Sequence, residues 1–276
     1  MKNKLRTALI IYCLVFLSVG AVVAGVYLFP YWQNRRQQTQ AAESFTLGVT
    51  PAPRTTPAPA LPPVTAPAES AEPAETAPIR VDFEALQAIN PDIIGWIYCP
   101  DTVINYPILQ GQSNDDYLYT NYEKQSSGAG SIFEDALNLR GFQDPSSILY
   151  GHHMADGSMF ATLDRWQRQT YFDEHPVMWI LTPGQDYKVE LFSAYTVSAY
   201  ADTYLIYRGY GPEFSAWLRE AAGKSEIESG VDWQEDDHFV LLSTCAYSFE
   251  DARSVIHGRL VPVADAPDDA ALQEIP

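Results

Sequence analysis

The first apolar block runs from Ala8 to Tyr31, ALIIYCLVFLSVGAVVAGVYLFPY, 24 residues without a charge. About 20 apolar residues suffice for a helix to cross the hydrocarbon core of a bilayer, so the pattern predicts a single transmembrane helix over 8–31. Lys2, Lys4 and Arg6 precede it and Arg35 and Arg36 follow it. With the amino terminus counted, the basic excess lies on the N-terminal side, which puts residues 1–7 in the cytoplasm and the rest of the chain outside. A cleavable signal peptide competes, with Val22 and Ala24 as a small-residue site. Its apolar core would exceed the ~7 to 15 residues usual there, so an uncleaved anchor is favoured.

Between Pro51 and Pro78 large apolar side chains nearly vanish, and nine prolines and eight alanines stand among Thr, Ser and Glu. Such a run cannot build a core, and proline fixes φ while removing backbone donors. The expectation is an extended spacer over 32–79 that holds a domain off the membrane, its prolines reaching on the order of 85 Å. From residue 80 to 263 the pattern becomes dense in aromatic and β-branched residues, enough for one domain with a sizeable core. Val81–Ile89 has apolar residues at helical spacing and is stopped by Asn90-Pro91. Eight stretches then read as strands: GWIYCP, VINYPILQG, GAGSIFED, SSILYGH, VMWILT, YKVELFSAYTV, HFVLLSTC and RSVIHGRLVPV. Helical spacing interrupts them at Ser158–Tyr171 and Glu213–Ala222. The domain is therefore expected to be mainly β, with a short N-terminal helix and two helical insertions. Residues 264–276 form an acidic tail beyond it.

Charge narrows the function classes. Lys and Arg number 17 against 35 Asp and Glu, a net of −18. Six basic and four acidic residues among 1–79 leave −20 on the remainder. Nothing there can neutralise phosphates, so nucleic-acid binding is excluded, while cationic or neutral partners are favoured. Three cysteines, one of them Cys13 in the apolar block, make no disulfide framework.

Chemistry is legible at strand ends. Cys245 closes the apolar run Phe239–Thr244, and eight residues later Arg253 opens the next strand. Antiparallel pairing would put both on one rim, where a guanidinium favours a thiolate and can donate to an oxyanion. A lone cysteine is otherwise an inert small hydrophobe, as Cys99 is read, so a base is required. Ser147–Tyr150 runs into Gly151, His152 and His153, and one of these imidazoles can face a site at the strand end. His175, His238 and His257 are read as structural. No CxxC or HxxxH spacing points to a metal, and no motif implies a cofactor.

These residues, taken in order, resemble the class B sortases, membrane-anchored cysteine transpeptidases of Gram-positive bacteria. The resemblance is carried by Tyr150-Gly151-His152-His153-Met154 with Asp156-Gly157-Ser158-Met159-Phe160, by Leu242-Ser243-Thr244-Cys245, and by Arg253 before Val255-Ile256-His257-Gly258-Arg259-Leu260. Gly95-Trp96-Ile97, Tyr106–Gly111, Asn114 with Tyr117-Leu118, and Gly128–Phe133 are also similar. It covers nearly all of 80–263 and implies a sortase-type eight-stranded β-barrel. It further implies Cys245 as nucleophile, His152 as catalytic histidine with His153 its neighbour, and Arg253 as holder of substrate and oxyanion. The backbone N–H of Ala246 would complete the oxyanion hole, and Asn114, Leu118, Ser243 and Tyr204 would line the sorting-signal groove. The implied partners are surface proteins bearing a sorting signal and an amine from a peptidoglycan cross-bridge or a pilin. Two other readings stay open at this point: a cell-wall cysteine hydrolase, and a surface binding module whose His and Cys are structural.

Overall fold

The computed structural model describes residues 75–264 without a break and, before them, residues 12, 14–23, 25, 36–37 and 39–48. Eight strands close a barrel: β3 Ile93–Tyr98, β4 Asn105–Leu109, β5 Ile132–Glu134, β6 Ser146–Tyr150, β7 Val177–Leu181, β8 Asp186–Ser198, β9 His238–Cys245 and β10 Ala252–Val263. Around the barrel the order is β10-β8-β7-β3-β4-β5-β6-β9, closed by the β9/β10 pair. Two neighbours are parallel, β4 with β5 and β6 with β9. Every stretch read as a strand from the sequence is one, because these β-branched and aromatic runs bounded by turn residues share one barrel interior. That interior holds Ile97, Ile108, Leu149, Val240, Leu242 and Ile256. The alternate residues Leu241, Val255 and Tyr195 point to a second layer with Ala221 of the helix Pro212–Gly223, so β9 is buried along both faces.

The helix α1, Phe83–Ile89, starts where Asp82 accepts a hydrogen bond from the Ala85 N–H, and ends where the Asn90 N–H donates to the Leu86 carbonyl. The insertion at Ser158–Tyr171 differs from expectation: it is not one helix. Met159 lies at φ +57, a 3-10 turn covers Leu163–Gln167, Arg168 is extended, and α2 runs Gln169–Glu174. Local polar contacts override the periodicity. Asp156 takes both the N–H and the hydroxyl of Ser158, Tyr106 takes the Met159 N–H, and Trp166 donates to the His175 carbonyl. The broken path lets Met159, Phe160, Leu163, Trp166 and Phe172 all enter the barrel core. The second insertion, α3 Pro212–Gly223, forms as expected with proline in its first turn.

The spacer needs correction. Residues 39–45 are helical, and Thr46–Gly48 (β1) pairs antiparallel with Ile79–Val81 (β2), Gly48 opposite Ile79. Ala41 is fully buried in a cluster with Leu86, Ile93 and Trp96, and Phe45 packs against it. Gly48 and Ile79, on either side of the Pro/Ala run, are thus cross-strand neighbours, and residues 39–48 belong to the domain rather than to the expected spacer. The expected membrane helix lies partly outside the described residues. Residues 14–23 are helical with Leu14, Phe16 and Leu17 exposed, and among the described residues no helix is long and apolar enough to cross a membrane. Residues 1–7 and 265–276 also lie outside the described set.

Candidate active site

Strand register brings the three candidate residues together. Arg253 is the direct cross-strand partner of Cys245 in the β9/β10 ladder. Tyr150 pairs with Ser243 in the parallel β6/β9 ladder, which continues as the Gly151 N–H donates to the Ser243 carbonyl. Two residues further along each strand stand His152 and Cys245. Gly151 is required there, since a Cβ would come within 2.8 Å of the Phe160 ring and 2.5 Å of Ile132. All three side chains line one groove of about 340 Å³, with Asn114, Leu118, Tyr204 and Ser243 also on its walls.

His152 is oriented by backbone. Its Nε2 lies 2.7 Å from the Leu118 carbonyl oxygen, which can only accept, so Nε2 carries a proton. Nδ1 is then the nitrogen free to exchange one. The Tyr119 ring leans on the imidazole at 5.3 Å. His153 turns elsewhere, edge-on to Tyr247 at 5.0 Å and paired with Met159. The other histidines serve the fold. His238 bonds the Asp144 carbonyl, His175 packs on Tyr171, and His257 meets Tyr195 in the interior, where burial, with the charge of Lys224, pushes its pKa down to about 3 and keeps it neutral.

Arg253 donates to the Ala252 carbonyl and forms no ion pair among the described residues, although the domain is rich in carboxylates. Its remaining donors are available to an anionic oxygen in the groove. Ala246 departs from expectation: its N–H donates to the Ala252 carbonyl at 2.8 Å, closing the β9/β10 hairpin. Engaged in the ladder, that N–H is not a free oxyanion donor in this structure. Cys245 is half-buried and a free thiol; Cys99 is a second free thiol, fully buried, with burial pushing its pKa up to about 12. Among the described residues no group of His, Cys, Asp and Glu could hold a metal.

On the far wall, the Tyr204 hydroxyl is 2.9 Å from Ser243 Oγ, and its ring stacks on Tyr150 at 6.3 Å. Tyr150 and Phe133 also line the groove and were not singled out as site residues. They sit directly opposite each other on β5 and β6, and a strand aromatic carries no mark in the sequence that separates a groove wall from a core.

A scan of protein-family profiles finds no match. Curated relatives do match: sortase B of Listeria monocytogenes is 33% identical over 256 residues, 88% of this chain and 96% of that protein. Sortase B of Staphylococcus aureus is 34% identical over 188 residues, 67% of this chain and 77% of that protein. Among solved structures, the Bacillus anthracis sortase B complex with AAEK1 superposes with a TM-score of 0.67 at 33% identity, covering 85% of this chain and 99% of the other. The S. aureus sortase B–substrate complex gives 0.62 at 33%, covering 66% and 85%. With its barrel, its groove and identity of this extent, the chain belongs to the class B sortases, the cysteine transpeptidases named sortase B.

Proposed function

We propose that this transpeptidase cleaves a sorting motif near the C-terminus of secreted proteins after a threonine and joins the freed acyl group to an amine. Cys245, as thiolate, attacks the threonine carbonyl carbon, and the Arg253 guanidinium stabilises the oxyanion that forms. His152, protonated at both nitrogens, gives its Nδ1 proton to the departing amine as the C–N bond breaks, leaving a thioester on Cys245. An incoming amine attacks that thioester, neutral His152 accepts its proton at Nδ1, and the thiolate departs from the new amide.

The observation that carries this reading is the cross-strand pairing of Cys245 with an Arg253 that has no carboxylate partner among the described residues, in the groove that also holds His152. Solved complexes of sortase B with substrate and with triglycine support a peptide substrate and an amine acceptor. The acceptor is an amine of a peptidoglycan cross-bridge or of a pilin. The uncharged run Ala8–Tyr31 with its basic flanks supports a membrane anchor with the N-terminus inside and the catalytic domain outside the cell. The exposed apolar side chains on residues 14–23 fit that placement.

Mass spectrometry of the full chain in detergent micelles, incubated with a panel of Thr-containing sorting peptides with and without a small amine, tests the reaction. Expected are a thioacyl adduct on Cys245, its conversion to an amide when amine is present, and neither with Cys245→Ala. Release of free acid alone, unaffected by amine, would identify a hydrolase; intact peptides throughout would leave only a binding module.

A further inference from the structure

One buried carboxylate outside the reacting trio touches the groove at two points. Asp135, directly after β5, is 5% exposed. Its Oδ2 accepts from Asn114 Nδ2 at 3.0 Å and from the Tyr150 hydroxyl at 3.0 Å, and its Oδ1 accepts from the Leu137 N–H at 2.9 Å. The Asn114 amide is held at its other end as well, where Oδ1 accepts from the Ala136 N–H at 2.8 Å. That fixes which way the amide faces. Its second N–H has no partner among the described residues and is left for a peptide carbonyl. Burial holds the Tyr150 hydroxyl protonated far above neutral pH, so it remains a donor to Asp135. The Tyr150 ring stacks on Tyr204, whose hydroxyl meets Ser243. Asp135 therefore stands at the centre of a connected set running from Asn114 to Ser243.

We propose that Asp135 is a positioning residue for substrate selection: its carboxylate holds the Asn114 amide and the Tyr150 hydroxyl in a single arrangement and so shapes the peptide-binding wall without touching the peptide. The inference rests on the reading of this groove as the peptide site. The backbone of Asp135 is secured independently of its side chain, its N–H by the Ile148 carbonyl and its carbonyl by Gln110 Nε2. Asp135→Asn keeps the volume but gives up at least one of the three accepted bonds, because an amide nitrogen cannot accept.

The test uses the full chain in micelles and a sorting peptide that the wild type turns over. Hydrogen bonds to a charged group are each worth roughly tenfold or more in binding. Asp135→Asn is expected to raise KM for the peptide about tenfold with kcat within threefold, and to leave the rate and pH profile of Cys245 alkylation by iodoacetamide unchanged. Tyr150→Phe should raise KM less, and the double variant should be no worse than Asp135→Asn alone, since both act through one carboxylate. KM within twofold of wild type, an altered alkylation profile, or multiplying effects in the double variant overturns the inference. If Asp135→Asn does not fold, Tyr150→Phe decides, and an unchanged KM there overturns it. A wild-type chain that turns over no peptide overturns the functional reading itself.

Discussion

At the residue scale, the proposed acid and base of this site is held by a carbonyl, and that carbonyl is held by a glycine. Gly130 sits at φ +56, and a Cβ there would overlap the Leu118 carbonyl oxygen and come within 2.6 Å of that of Tyr117. An alanine must push away the one group that bonds His152 Nε2. Gly130→Ala is therefore expected to lower kcat by roughly 10²-fold, the scale of a misplaced general acid and base, with a smaller change in KM. Steady-state kinetics on the folded variant check it. A second residue, Glu134, stores a pH dependence of the fold. Burial, reinforced by the charge of Asp144, pushes its pKa up to about 7, and its Oε1 has no hydrogen-bond partner among the described residues. The native state keeps the proton that the unfolded chain releases near pH 4.5, so stability falls as pH rises from about 4.5 to 7 and is flat above. Buried His257 acts in the opposite sense, its contribution being lost as pH falls below 6.5 toward 3. Comparing Glu134→Gln with wild type isolates the first effect: the variant should gain about 3 kcal/mol at pH 8 and nothing at pH 4 in urea unfolding. An equal difference at both pH values would refute the assignment.

At the element scale, the segment before the Pro/Ala run belongs to the barrel domain. Residues 39–48 cover Leu86, Ile93 and Trp96 through Ala41 and Phe45, and the Phe45 carbonyl takes the N–H of Asp82, the residue that caps α1. Gln37 bonds Asn121 and Gln125, in the loop that continues from Leu118. Deleting residues 1–48 removes about 3 kcal/mol of burial, which for a domain of this size lowers the melting midpoint by roughly 10 °C. Replacing residues 51–76 by a short turn should do the reverse. Its ends already meet at Gly48 and Ile79, and shortening the loop lowers its closure cost by about 1 kcal/mol, raising the midpoint by roughly 3 °C. Differential scanning fluorimetry on the two deletions separates a docked element followed by a loop from a stand-off spacer, which would show no such opposition.

At the scale of the whole molecule, a membrane anchor proposed at residues 8–31 would be joined to the barrel domain by only the short stretch between Tyr31 and Thr39, at most about 30 Å of chain. The proposed anchored enzyme would work close to the membrane surface. The domain's net charge of −20 over residues 80–276 sets a field in which Arg253 lacks a carboxylate partner among the described residues. That field attracts an amine acceptor in its cationic form, so the rate of amide formation at limiting amine should fall as salt is raised from about 20 to about 300 mM, while thioacyl formation with a neutral peptide stays constant. A salt-independent amine step would show that the field plays no part in acceptor capture.

Much of this architecture was legible before any coordinates. Apolar-rich runs bounded by Gly, Pro, Asn and Asp marked all eight barrel strands, because strand formation answers to local composition; residue types at strand ends marked Cys245, Arg253 and the His152-His153 pair, of which the family resemblance singled out His152. Periodicity could not foresee the broken path at Ser158–Tyr171, where Asp156, Tyr106 and His175 redirect the chain through contacts that the local pattern does not carry. Nor could it foresee that the Pro/Ala run is pinned at both ends, that Ala246 spends its N–H in the hairpin ladder, or that Asp135 ties Asn114 to Tyr150. The sequence by itself determined which segments become strands and which side chains can do chemistry, since both follow from local pattern and residue type. Only the tertiary structure decided which nitrogen of His152 is already bonded, that the Ala246 N–H is spent in the hairpin and that Asp135 joins Asn114 to Tyr150, because those depend on hydrogen bonds between residues brought together by closure of the barrel.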